Sequence, residues 1–179
     1  MLIKIRSKPK EHKCSSSLMI ARVYVPYPGL EENTLYLVYP KEYPITVQKD
    51  NYYEVCVDIQ THKNIAKKYA YLYAISIAKI EETDLKKYDN SVSIQGTIIE
   101  SYTVPNVEYP ICKCKIEYID TDAYPSIINC IFFRKVAEEF SNYSIGDKIF
   151  VTGALLYQKN RREKVALHVK ALHNYTNTN

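Results

Sequence analysis

The feature that most constrains this chain is a run of apolar and polar alternation between Ser91 and Asn174, interrupted by one stretch of helical spacing. It opens with Ser91-Val92-Ser93-Ile94-Gln95-Gly96-Thr97-Ile98-Ile99-Glu100 and continues through Ile111 to Asp120 and Ser126 to Arg134. Lys135 to Tyr143 then reads as a short amphipathic helix. Gly146-Asp147 turns the chain into further strands at Lys148 to Tyr157 and Lys164 to Leu172. A period of two sends alternate side chains to opposite faces, so each strand can give one apolar face to a core. Gly96 and Gly153 fall inside strands, where a glycine marks a bend or the close approach of another backbone.

Three strands, a helix and two strands, with glycines where strands bend, is the order of an OB barrel. The expected fold class is therefore all-β. A composition of 46% hydrophobic residues with 18 tyrosines supports a packed, strand-rich chain. At 179 residues there is room for one ordinary domain or two small barrels. The N-terminal half supplies strands at Leu18 to Val25, Thr34 to Tyr39, Ile45 to Val47, Tyr52 to Ile59 and Tyr71 to Ile80, with prolines at 26, 28, 40 and 44 bounding the early ones. Tyr52-x-x-Val55-x-Val57-x-Ile59 before Tyr71-Leu72-Tyr73-Ala74-Ile75 loosely matches the pattern at the end of the second half. We read two OB barrels in tandem, a degenerate one over 1–85 and a second over 86–179. The alternative is a set of strand extensions packed on the C-terminal barrel. Met1 to Ser17 reads as a first strand or a frayed arm, Thr61 to Ala70 as a helical turn, and Glu81 to Asn90 as a charged, ordered connector with the boundary near residue 85.

Four fragments of the second half also carry a family likeness: Asn90-x-Val92-x-Ile94-x-Gly96-x-Ile98, Phe133-x-Lys135-x-Ala137-Glu138, Gly146-Asp147-x-Ile149-x-Val151-x-Gly153-x-Leu155 and Val165-x-Leu167-x-Val169. Together they resemble the OB domain of bacterial single-stranded DNA-binding proteins, over about half the chain. The resemblance implies non-enzymatic binding of single-stranded DNA with little sequence preference, in replication, recombination or repair. It also implies homo-oligomers assembled through the strand at Ser91 to Ile99. It puts Phe133 where the family has a base-stacking phenylalanine. The family's stacking tryptophan falls on Ile127, and the chain contains no tryptophan. The family's acidic C-terminal tip has no counterpart in Thr176-Asn177-Thr178-Asn179, so its recruitment role is not among the expectations.

Holding a single strand needs flat π surfaces for bases and cations that follow the phosphates. OB barrels offer these from strands two and three and the loops after strands one and four. The rings in those places are Tyr102 and Tyr109, Tyr118 and Tyr124, Tyr157 and Phe133; the cations are Lys113, Lys115, Arg134, Lys135 and the loop residues Lys159, Arg161, Arg162 and Lys164. Tyr118 shares a strand face with Cys112 and Cys114, which points it inward, and Phe132 belongs to the core. A net charge of +4 makes any polyanion surface local rather than global. The missing tryptophan and mild charge also suit an OB-fold scaffold or protein-interaction subunit, and stacking platforms accept RNA as readily as DNA.

Catalysis is not expected, because His12, His62, His168 and His173 lack an acid or cysteine at ligand spacing; His168 reads as a surface histidine on a polar strand face. Cys14, Cys56, Cys112, Cys114 and Cys130 lack metal-ligand spacing and read as thiols packed in barrels, so neither metal nor cofactor is expected. No segment approaches the roughly 20 apolar residues of a membrane span, and a cytoplasmic protein is expected.

Overall fold

The computed structural model describes residues 1–13, 17–30, 33–61, 71–82, 90–158 and 165–173, with backbone only for 9–13. The first half forms β1 (Leu2–Lys13), β2 (Leu18–Tyr24), β3 (Thr34–Pro40), β4 (Tyr52–Gln60) and β5 (Tyr71–Ile80). The second forms β6 (Val92–Thr103), β7 (Ile111–Ile119), β8 (Pro125–Phe133), helix α1 (Lys135–Phe140), β9 (Lys148–Tyr157) and β10 (Val165–His173). These strands close two barrels of identical order, β1-β2-β3-β5-β4 and β6-β7-β8-β10-β9. In each barrel the third and fifth strands run parallel, with Val38 opposite Tyr73 and Ile131 opposite His168. The chain is thus a tandem of OB barrels, and the strand-extension alternative is excluded.

Period-two patterning sets the faces. Along β7, Cys112, Cys114, Ile116 and Tyr118 are buried while Lys113, Lys115 and Glu117 point outward. Ile3, Ile5, Val23, Leu37, Val55 and Leu72 fill the first core, and Ile98, Ile116, Ile128, Phe132, Val151 and Leu167 fill the second. Helix α1 plugs one end of the second barrel, with Phe140 stacked on Phe132 at 4.1 Å between ring centroids. Burying such a ring contributes about 1.5–3 kcal/mol relative to leaving it in water. The three thiols Cys112, Cys114 and Cys130 line this interior unoxidised, and Cys56 is half-buried.

The first barrel uses no helix between β3 and β4. The expected strand at Ile45 to Val47 is instead irregular. All five strands of the closed barrel already have their ladder partners, so these residues cap the core, with Val47 buried and the Tyr43 hydroxyl accepting the Ile77 N–H at 3.0 Å. The N-terminus resolves as a strand rather than an arm, paired with β2 and β4 and bulged between Ser7 and Glu11. The proposed helical turn, beyond Thr61, and the connector at 83–89, with its boundary near residue 85, lie outside the described residues.

Gly96 and Gly153 are close approaches, as their positions suggested. A Cβ on Gly96 would sit 2.2 Å from the Glu117 carbonyl oxygen, and one on Gly153 2.2 Å from that of His168.

Two polar seams join the barrels. At one, the buried Asn33 donates from Nδ2 to the Val25 and Leu155 carbonyls at 2.9 Å each, and its Oδ1 accepts the Tyr157 N–H at 2.7 Å. Asn90 brackets the same place, accepting the Leu155 N–H at 3.2 Å and donating to Pro26 O at 3.1 Å. At the other, the Asp58 carboxylate accepts both the N–H and the hydroxyl of Thr121 at 2.8 Å. Thr61 exchanges bonds with Ser126 Oγ (3.1 Å) and the Ile127 N–H (3.0 Å), and the Tyr118 hydroxyl donates to the Ile59 carbonyl. Buried polar groups demand such partners. The tip of the β7–β8 hairpin is therefore fixed by the first barrel.

Candidate nucleic-acid interface

The outward face of the second barrel is set by register. Lys113 lies opposite Ile131 and Lys115 opposite Asn129 across β7 and β8. On the β6 side Tyr102 meets Lys113 and Glu100 meets Lys115, while His168 of β10 lies beyond Ile131. Rows of tyrosine, lysine and isoleucine thus run across one sheet, and a cleft of about 130 Å³ opens on it, lined by Glu100, Tyr102, Lys113, Lys115, Asn129 and Gln158. Tyr102 is 47% exposed, and Lys113 Nζ sits 5.9 Å from its ring centroid. Lys115 Nζ pairs with Glu100 at 2.7 Å. An exposed ion pair of this kind contributes about 0–1 kcal/mol, so an incoming phosphate can compete for the lysine.

A second cluster continues the face at the β8 to α1 corner. Phe133 points outward and is half-buried, and the His168 ring meets it edge-on at 4.8 Å and 72°. Tyr109 lies 6.5 Å from Phe133, and the Arg134 guanidinium covers the Tyr109 ring at 5.0 Å. Arg134 holds a positive φ of 52°, a rare conformation for a residue with a Cβ. Its N–H donates to Pro110 at 2.8 Å, and its carbonyl accepts the Ala137 N–H at 2.9 Å. The corner therefore aims Arg134 across Tyr109 at a backbone cost that those bonds offset.

His168 is not the surface histidine expected from its strand. Tyr27 of the first barrel hydrogen-bonds its Nδ1, and the ring is half-buried. Burial first, and then Lys170, whose Nζ lies 3.3 Å from Nε2, lower its pKa to about 4, so the imidazole is neutral at pH 7.

The structure divides the other expected residues. Tyr118 is only 8% exposed, its hydroxyl is spent on Ile59, and burial pushes its phenol up; it faces the core with Cys112 and Cys114 and presents no ring to a base. Tyr157 is half-buried and packs against the core, while Tyr124 stands exposed at the hairpin tip, at the opposite end of β8 from Phe133. Lys135 is exposed at the start of α1. Ile127, in the tryptophan position, points outward and is 38% exposed. Lys159, Arg161, Arg162 and Lys164 lie outside the described residues.

Sequence reasoning named no residue on the equivalent face of the first barrel. Aligning the two parallel pairs puts Arg22, opposite Tyr36, where Lys115 stands opposite Asn129. Both Arg22 and Tyr36 are exposed, and the alternation Ile20-x-Arg22-x-Tyr24 was the available signal. Among the described residues no group of His, Cys, Asp and Glu is placed to hold a metal ion, and no helix is long and apolar enough to cross a membrane.

No protein-family model and no curated protein matches the sequence. Among solved structures, the wild-type single-stranded DNA-binding protein of Thermus aquaticus aligns over 98% of this chain and 92% of its own, with a TM-score of 0.67. The chain has the tandem OB fold of that single-stranded DNA-binding protein. A deletion mutant of the Thermus protein aligns over 96% of this chain and 92% of its own, at 16% identity and a TM-score of 0.65. With the wild type at 15% identity, the likeness is one of fold, and it spans both barrels rather than the second alone.

Proposed function

We propose that this protein binds single-stranded DNA with little sequence preference and without catalysis, in replication, recombination or repair in the cytoplasm. The observation that carries the reading is the interleaving of rings and cations on one outer face. Tyr102, Lys113 and Lys115 border the cleft, and Phe133, Tyr109 and Arg134 continue the face at its corner. Each stacked base would contribute about 1–3 kcal/mol. The loop cations Lys159, Arg161, Arg162 and Lys164 and the ring of Tyr124 belong to the same proposal, with Tyr157 at the margin. Arg22 and Tyr36 extend it to the first barrel, each barrel acting as one domain over 1–85 and 86–179. Self-association through β6 fits the exposure of Ser93 and Gln95 on that strand.

Fluorescence anisotropy with labelled dT, rU and duplex oligonucleotides tests this directly. The expected order is dT bound at or below micromolar protein in low salt, with duplex far weaker; absence of dT binding there refutes the reading, and preference for rU moves it to RNA. A protein-interaction role has one observation in its favour, the exposed apolar hairpin tip of Ile119 (68%), Tyr124 (55%) and Ile127 (38%). A K113E/K115E variant separates the two, because loss of oligonucleotide binding assigns the face to nucleic acid.

A further inference from the structure

We infer that His168 and Lys170 form a phosphate-binding pair at the junction of the two barrels, and that His168 takes up a proton when the phosphate binds. The inference rests on the proposed binding of a single strand. Both residues alternate outward on β10, and Nζ of Lys170 lies 3.3 Å from Nε2 of His168. Lys170 is exposed, and among the described residues no carboxylate pairs with it. Two nitrogen groups that can both be cationic are thus held together with no anion between them, in line with Phe133 and the cleft row of Lys113 and Ile131.

The tautomer follows from the contacts. Lys170 can only donate, so Nε2 accepts from it, and the ring proton resides on Nδ1, which then donates to the Tyr27 hydroxyl oxygen. The Tyr27 phenol from the first barrel and the uncharged Phe133 of β8 meet the ring, and the ladder partners of His168 are the apolar Ala154 of β9 and Ile131 of β8. Burial is the larger cause that lowers its pKa, and Lys170 on its own strand is the charge that adds to it; together they hold the imidazole neutral down to about pH 4.

A phosphodiester anion at this pair opposes both causes, because its charge and its acceptor oxygens favour the imidazolium against burial and against the Lys170 ammonium. It accepts from Lys170, which leaves the Nε2 lone pair free to take a proton from solvent, and the new Nε2–H donates to a second phosphate oxygen. The Nδ1–H bond to Tyr27 is unchanged, so protonation needs no movement of the barrel junction. If binding restores His168 to the ordinary value of 6.5, affinity for the strand rises about tenfold between pH 7.5 and pH 5.5, because the bound form takes up the proton that the free form refuses.

The test uses the whole chain and a dT oligomer, whose thymines do not titrate in this range. Affinity is measured at pH 7.5 and 5.5 at constant salt, and calorimetry in two buffers of different ionisation enthalpy counts the protons taken up. The wild type is expected to bind about tenfold more tightly at pH 5.5, with a fractional proton taken up near pH 6. His168→Gln flattens the pH profile, and the exposed Lys170→Gln reduces both affinity and uptake. A wild type that binds equally at both pH values without uptake, or a His168→Gln variant that keeps the slope, overturns the inference while leaving the proposed function standing. Failure of the wild type to bind at either pH overturns both.

Discussion

Replacing Asp58 by alanine probes the seam that ties the first barrel to the β7–β8 hairpin. The Asp58 side chain is nearly enclosed, and its Oδ2 accepts two hydrogen bonds of 2.8 Å, from the Thr121 N–H and hydroxyl. A hydrogen bond to a charged group contributes about 1.5–3 kcal/mol, and two bonds sharing one oxygen sum to less than twice that. Thr121 is itself exposed, so water recovers part of what is lost, and a net loss of about 2 kcal/mol is expected. With a urea m-value of roughly 2 kcal/mol/M, the unfolding midpoint falls by about 1 M in far-UV circular dichroism. Asp58→Asn keeps an acceptor of the same shape without the charge and is expected to fall by about half as much. A midpoint for Asp58→Ala within about 0.3 M of wild type would refute the reasoning, since the seam would then carry no measurable stability.

Other outcomes follow from the same geometry. Gly153→Ala drives a methyl into the His168 carbonyl from 2.2 Å and is expected to destabilise by about 3 kcal/mol or more, whereas Gly29→Ala meets no neighbouring atom and pays only for its positive φ; comparative thermal melts check the difference. Phe132→Ala removes a fully buried ring stacked on Phe140 and is expected to lose about 3–5 kcal/mol in denaturant unfolding. His168 has a folded-state pKa below its unfolded value, so its contribution to stability is complete above about pH 6.5 and drains as the pH falls towards about 4. Allowing for the half-exposed ring, the loss is about 1–2 kcal/mol, absent in His168→Gln, and read from unfolding curves at pH 7 and pH 4 without DNA. Tyr102→Ala is expected to weaken oligo-dT by about 1–3 kcal/mol if the ring stacks a base, and an unchanged affinity removes it from the site.

The period-two pattern made the second barrel legible: Lys148 to Tyr157 matches β9 end to end, and the inward run Cys112, Cys114, Tyr118 followed from alternation alone. Phe132 and Phe133 were separated correctly for the same reason, one stacked on Phe140 and the other on the outer face. The first barrel was harder because capping replaces pairing at Ile45 to Val47, where an apolar run looks like a strand whatever it packs against. What no local pattern carried was the junction. Asn33 meets Leu155 from 122 positions away, and Tyr27 meets His168 from 141. An isolated asparagine or histidine has the same sequence signature whether it binds water or another barrel, so the seams and the burial of His168 emerge only from the folded arrangement.

Single-strand binding by this protein depends on rings and cations acting together on the outer face of the second barrel. The most direct measurement is the dT affinity of the wild type and of K113E/K115E across a series of salt concentrations. Each phosphate neutralised steepens the logarithmic salt dependence by about 0.7, so a wild-type slope near −2 or steeper, made shallower by about 1 or more in the variant, is the predicted result. Identical slopes in the two proteins, or no binding by the wild type at low salt, would contradict it.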